Sequence, residues 1–351
     1  MKGLMKFLKD WMLVIGMTTG ASFYLIYHFM PVLHPAGPAF LAFCTHIQPI
    51  LLFMMLFLTF SRIEPRDLKP HRWQGWLLLV QGLSFVIIAL LLILFPSLPG
   101  RAGWESLMLC MICPTATACS VVTDKLGCNI AGVLTYTILI NLVTATLVPL
   151  FVPLIHPVEG LSFFTAFSRI LAKVFPLLIM PALAAWLVRY LLPRLHRRII
   201  AFKDLSFYIW AVSLMLAILM STRAIFHHDG SVWALLGIAV ASLVSCAVQF
   251  GSGKAIGAHY DRIAARRAEE ISVRTGLPAR SAYATSCNRK ITAGQSLGQK
   301  NTVFGIWMGY TFFDPVTSLA GGFYSIWHNV YNTMQLRKAA ATADSASAGG
   351  Q

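Results

Sequence analysis

Two stretches of this chain gather the residues whose types and spacing could do chemistry. CPTATACSVVTDKLGCN (113–129) sets Pro114 beside Thr115, Thr117, Cys119 and Ser120. ITAGQSLGQKNTVFGIWMG (291–309) crowds Gln295, Ser296, Gln299, Lys300, Asn301 and Thr302 around Gly294 and Gly298. Both lie in strongly apolar surroundings. Proline has no amide hydrogen, so it interrupts a helix, and nearby hydroxyls or water must meet the freed carbonyls. A helix broken in this way presents free N–H groups and a partial positive charge where its second half begins, which favours an anion. The chemistry this predicts is recognition of a negatively charged solute. An intramembrane enzyme is disfavoured: there is no HExxH, no paired acids inside an apolar stretch, and no serine–histidine arrangement that can be placed. Cys110 and Cys113 form one CxxC without a second pair or a histidine cluster. No metal site is expected, and the seven cysteines read as small packing residues.

The elements that must position these stretches are membrane helices. Of 351 residues, 57% are hydrophobic and 12% charged, against about a quarter charged in soluble domains. An apolar excess spread over the whole length excludes a soluble enzyme, a disordered chain and a disulfide scaffold. Ten segments have the length and apolarity to cross a bilayer: 11–30, 39–60, 74–95, 104–126, 129–155, 163–192, 204–226, 232–253, 286–310 and 316–337. The formal charge of +15 comes from short basic clusters between these segments, the membrane pattern rather than a nucleic-acid one. With both termini inside, 23 of the 28 Lys and Arg fall on the inner side, and only Arg101, Arg169, Lys173 and Arg223 fall outside. The expected setting is therefore multi-pass in a bacterial inner membrane, both termini cytoplasmic. The segment 254–285 reads as a basic cytoplasmic loop with an amphipathic helix, and 339–351 as a disordered tail. Trp76, Trp104, Trp186 and Trp233 read as interfacial anchors.

The interrupted segments are the fourth of the first five spans and the fourth of the second five. Five spans per half insert the second half upside down. Paired broken helices in an inverted repeat point to the midplane site of a secondary transporter. The expected fold is all-α, ten helices in two inverted repeats (1–158 and 159–338), with broken helices four and nine crossing.

At these residues the chain resembles the bile acid:sodium symporter family. Pro114-Thr115-Ala116-Thr117-Ala118-Cys119-Ser120-Val121 is similar to the family's fourth-helix pattern P-G-G-T-A-S-N-V. Ser296-Leu297-Gly298-Gln299-Lys300-Asn301-Thr302 is similar to its ninth-helix pattern E-V-G-M-Q-N-S, and FYSIWHN (323–329) to FSVWHN in the tenth. The resemblance implies a core domain of spans 3–5 and 8–10 against a panel of spans 1, 2, 6 and 7. It also implies an organic anion substrate of bile acid, pantoate-like or keto acid type. Substrate contacts would come from Thr115, Thr117, Gln299, Asn301, Thr302 and His328. The family's two sodium sites map here onto Ser84 (with Gln81 one turn away), Cys119, Ser120, Val133, Thr137, Ser296 and Lys300. Where the family has a glutamate this chain has Ser296, and where it has a glutamine, Lys300. Sodium wants hard oxygen ligands and a carboxylate. No Asp or Glu is found at the middle of any span, with Glu105 at a helix entrance and Asp314 in an outer turn, so both cation sites read as dismantled.

Lys300 is the informative departure. A lysine at mid-span costs about 2.5–3.5 kcal/mol on insertion scales and is a functional candidate by default. Its ammonium could reach an aqueous cavity without a specific role, stand where a sodium ion would sit, or exchange a proton during transport. The last two predict independence from sodium. The expected function is thus alternating-access transport of a small organic anion without sodium and without a cofactor, by a monomer or weak dimer in the lipid bilayer. A sodium-coupled symporter and a transport-inactive membrane sensor of the same fold are the alternatives. Asn141 is read as a helix–helix hydrogen bond and His46 as structural.

Overall fold

The computed structural model describes residues 2–202, 205–227, 232–275 and 288–348. Among them every regular element is helical, as expected where no water is present to satisfy a free backbone. The chain opens with α1 (Lys2–Phe29), a 3₁₀ turn and α2 (Gly37–Phe60). After α3 (Arg72–Leu94) comes a helix in two pieces, α4 (Arg101–Ile112) and α5 (Cys119–Lys125), then α6 (Ile130–Ile155). The second half runs through α7 (Phe163–Leu178), α8 (Met180–Leu191), the short α9 (Pro193–Ala201), α10 (Leu205–Phe226) and α11 (Val232–Thr275). A second two-piece helix, α12 (Arg289–Gly298) and α13 (Thr302–Phe312), leads to α14 (Leu319–Ala348). Among the described residues, five helices are long and apolar enough to cross a membrane: those ending at Phe60, Leu94, Ile155 and Phe226, and α11. The bent pair α7–α8 makes a sixth.

Polarity is distributed as lipid demands. Leu83, Ile87 and Leu90 on α3 and Leu236, Val240 and Leu243 on α11 stand exposed, whereas Gln74, Gln81, Ser242, Ser245 and Gln249 on the same helices are buried. In water this would be inside out. In a bilayer the apolar faces meet acyl chains and the polar groups find partners inside.

Local signals set the helix ends. Asn129, Ser162, Asn288 and Asn301 each accept a backbone N–H from the first turn of the helix that follows. Gly100 takes φ +68° just before α4, a conformation costly for any residue with a Cβ. Between α7 and α8 the path bends by 41° because Pro181, in the first turn of α8, cannot donate back. Asn141 Nδ2 from α6 meets the Leu178 carbonyl there at 3.2 Å, the helix–helix bond expected of it.

Two expected boundaries shift. The described part of 254–285 is helical, as expected of its amphipathic stretch, but it is not a separate element: α11 continues unbroken from the apolar span to Thr275. Residues 276–287 lie outside the described residues. The tail is helical to Ala348, since its alanine-rich run has high intrinsic helix propensity. His46 bonds the Ala42 carbonyl of its own helix at 2.6 Å, a structural role.

The helices fall into two packed groups. α3, α4, α6, α11, α12, α13 and α14 contact one another, and α1, α2, α8 and α10 do the same. α11 and α12 share the most extensive interface. There Gly253 and Gly257 let the backbones meet: a Cβ on Gly253 would stand 2.7 Å from the Ala293 carbonyl, and one on Gly257 would collide with that of Arg289. One turn further, the Asp261 carboxylate accepts from the backbone N–H of Arg289 (3.1 Å) and Lys290 (2.9 Å), capping α12.

Candidate functional site

The two interrupted helices break where the sequence suggested, and the breaks meet. α4 ends at Ile112, and residues 113–118 run without a continuous helix to α5. α12 ends at Gly298, and only residues 299–301 separate it from α13. The unwound backbones pair antiparallel: Asn301 N–H donates to the Pro114 carbonyl at 2.8 Å, Ala116 N–H donates to the Gln299 carbonyl at 2.9 Å, and Thr115 lies opposite Lys300.

Neighbouring helices supply donors for the carbonyls these breaks expose. Gln249 Nε2 of α11 donates to Cys110 (3.2 Å), Thr144 Oγ1 of α6 to Ile112 (3.0 Å), and Gln81 Nε2 of α3 to Cys113 (2.8 Å). Gln81 is held in turn by the Tyr136 hydroxyl, which donates to its Oε1 at 2.8 Å. On the other strand, Thr115 Oγ1 donates to the Ser296 carbonyl and the Tyr324 hydroxyl to that of Gly298, both at 2.7 Å. These five carbonyls thus gain partners that an unbroken helix would have supplied itself.

Beside the crossover lies a small recess between the two helix groups. Met55 of α2 and Trp210 of α10 form one wall. The opposite wall is residues 116–118 and 299–303, closed by Ser325, His328 and Asn329 of α14. Five of the six expected substrate residues therefore come together: Thr117, Gln299, Asn301, Thr302 and His328. The recess contains no acidic side chain. Gln299 Oε1, Asn301 Nδ2 and His328 Nδ1 are buried without hydrogen-bond partners among the described residues. Unmatched polar groups around a cavity mark a site shaped for a polar guest.

Thr115 is the exception. Its side chain is fully buried and bonded to Ser296, so it holds the crossover together and does not line the recess. Ser84 turns its hydroxyl to the Val80 carbonyl of its own helix, and Gln81, one turn earlier, reaches the crossover instead. Thr137 likewise bonds back to Val133 and Ser120 to Thr117. Cys119 is buried with its sulfur 3.9 Å from the Thr123 hydroxyl, and the Ser296 hydroxyl is buried without a partner among the described residues.

Lys300 is only 1% exposed, and its Nζ has no hydrogen-bond partner among the described residues. The groups within its electrostatic reach are the thiols of Cys113, Cys110, Cys119 and Cys246; no carboxylate is among them. Thiols are poor ligands for a hard alkali ion. Gln81 was noted only as a neighbour of Ser84, and Thr144, Gln249 and Tyr324 were not anticipated. No family model and no curated protein matches this chain.

Proposed function

We propose that this protein is a secondary transporter of a small organic anion, working by alternating access and without sodium. The proposal takes each two-piece helix as one span and counts α1 and α14, giving ten spans in two inverted five-helix repeats with both termini cytoplasmic. The arrangement resembles the bile acid:sodium symporter family. The group containing α3, α4, α6 and α11–α14 acts as the core, and the group containing α1, α2, α8 and α10 as the panel. The anion binds in the recess between them, against the starts of α5 and α13 and the side chains of Thr117, Gln299, Asn301, Thr302 and His328.

The carrying observation is the buried Lys300 side chain at the crossover, with no carboxylate among the described groups acting on it and a polar recess alongside. A fixed cation supplies the charge that a bound sodium ion would otherwise supply. A second cation a few ångströms away would be repelled by several kcal/mol, about 4 kcal/mol at 4 Å with an effective dielectric constant of 20. The test is uptake of labelled pantoate and 2-keto acids into proteoliposomes. Saturable uptake abolished in Asn301→Ala with Thr117→Ala supports the reading. Uptake of none of them, together with no binding by the purified protein, rejects it.

A further inference from the structure

The seam between the two helix groups contains a second, small recess, lined by three of the helices that border the first, α2, α10 and α13. Its polar walls are Thr45, Gln48, Tyr310 and Thr311, with no acidic residue. On α2, Gln48 lies seven residues before Met55, which borders the crossover recess. On α10, Met220 lies ten residues beyond Trp210. On α13, Tyr310 and Thr311 lie some two turns beyond Thr302 and Val303. At about 1.5 Å per residue, all three offsets correspond to roughly 10–15 Å. In the proposed orientation each points to the outer face.

The side chains of this recess fit an anion. Gln48 is only 4% exposed, and its Nε2 donor has no partner among the described residues. The Tyr310 hydroxyl accepts from Arg223 Nη1 at 3.1 Å, so its own proton is free to donate and is polarised by the guanidinium behind it. Leu52, Leu214, Ala217 and Phe304, which lie between the two recesses along these helices, are buried members of the main apolar cluster. That packing closes the seam to a hydrated solute. A partnerless buried donor above such a barrier has no structural role in the closed seam.

Resting on the transport reading, we propose that this recess is an outer subsite where a small organic anion is held before it reaches the crossover, by Gln48, Tyr310 and Thr311 with Arg223 behind them. Opening of the Leu52–Leu214–Phe304 packing then passes the anion inward.

The test needs no substrate. Thr311→Cys and Thr45→Cys in the full chain are reacted with two impermeant thiol reagents, sulfonatoethyl and trimethylammonioethyl methanethiosulfonate. Both membrane faces are examined, the unsubstituted protein gives the background, and exposed Val158→Cys sets the reference ratio. Relative to Val158→Cys, the sulfonate should react roughly tenfold faster than the ammonium reagent, from the face opposite the amino terminus. Arg223→Gln should collapse that preference, and Gln48→Leu, which keeps the bulk, should reduce it. A ratio equal to the reference at both positions, or one favouring the ammonium reagent, overturns the subsite. These rates are read without transport, so that result leaves the crossover reading standing, and failed uptake leaves the subsite result standing.

Discussion

Replacing Gln81 by Leu should loosen the crossover by a predictable amount. The amide joins two buried groups: Nε2 donates to the Cys113 carbonyl and Oε1 accepts from the Tyr136 hydroxyl, both at 2.8 Å. Leucine fills the volume but leaves both groups orphaned, and each orphan costs about 1–3 kcal/mol. In a membrane the unfolded reference also finds partners, which pulls the total toward roughly 2 kcal/mol. Removing the Tyr136 hydroxyl in the same background leaves only the Cys113 carbonyl unmet, so Gln81→Leu with Tyr136→Phe should recover about 1 kcal/mol of that loss. Tyr136→Phe alone should destabilise, because it orphans Gln81 Oε1. The assay is reversible unfolding in mixed micelles for the four members of the cycle. Additive single effects, or a Gln81→Leu protein as stable as its parent, would refute the reasoning that these bonds hold the broken helix.

Two further substitutions probe the site's support and its contacts. Gly257→Val should prevent stable assembly, because its Cβ would collide with the Arg289 carbonyl, whereas Gly75→Ala, with nothing within 4 Å, should express normally; detergent-solubilised yield of the two variants decides it. Asn301→Ala removes the cap on Phe304 N–H and a donor lining the recess. It should cost about 1 kcal/mol of stability and weaken anion binding, whereas Asn301→Asp should keep the cap and still lose binding through charge repulsion, as read by titration calorimetry with pantoate.

The breaks themselves were legible, because Pro114 and the Gly294–Gly298 segment punctuate apolar stretches in a way few other residues can. Most of the recess was legible too, since the residues beside a break are the ones left to line it. What sequence could not supply was the partner of each freed carbonyl. Gln81, Thr144, Gln249 and Tyr324 come from four different helices, and nothing in their spacing says which carbonyl each meets. Thr115 shows the same limit: its hydroxyl could face a guest or the opposite strand, and only packing decides for Ser296. Ser84 was chosen by register with a family pattern, and a difference of one helical turn puts Gln81 there instead. The tail misled for another reason, since small residues such as those after Ala339 suit both an exposed helix and a coil.

The most direct measurement is the initial rate of anion uptake in proteoliposomes, in sodium against potassium, for the parent protein, Lys300→Gln, and Lys300→Gln with Ser296→Glu. If Lys300 stands in for the cation, the parent works equally in both salts. Lys300→Gln then loses activity in both, and the double variant regains uptake only in sodium. A parent protein whose uptake rises steeply with sodium would contradict the built-in cation.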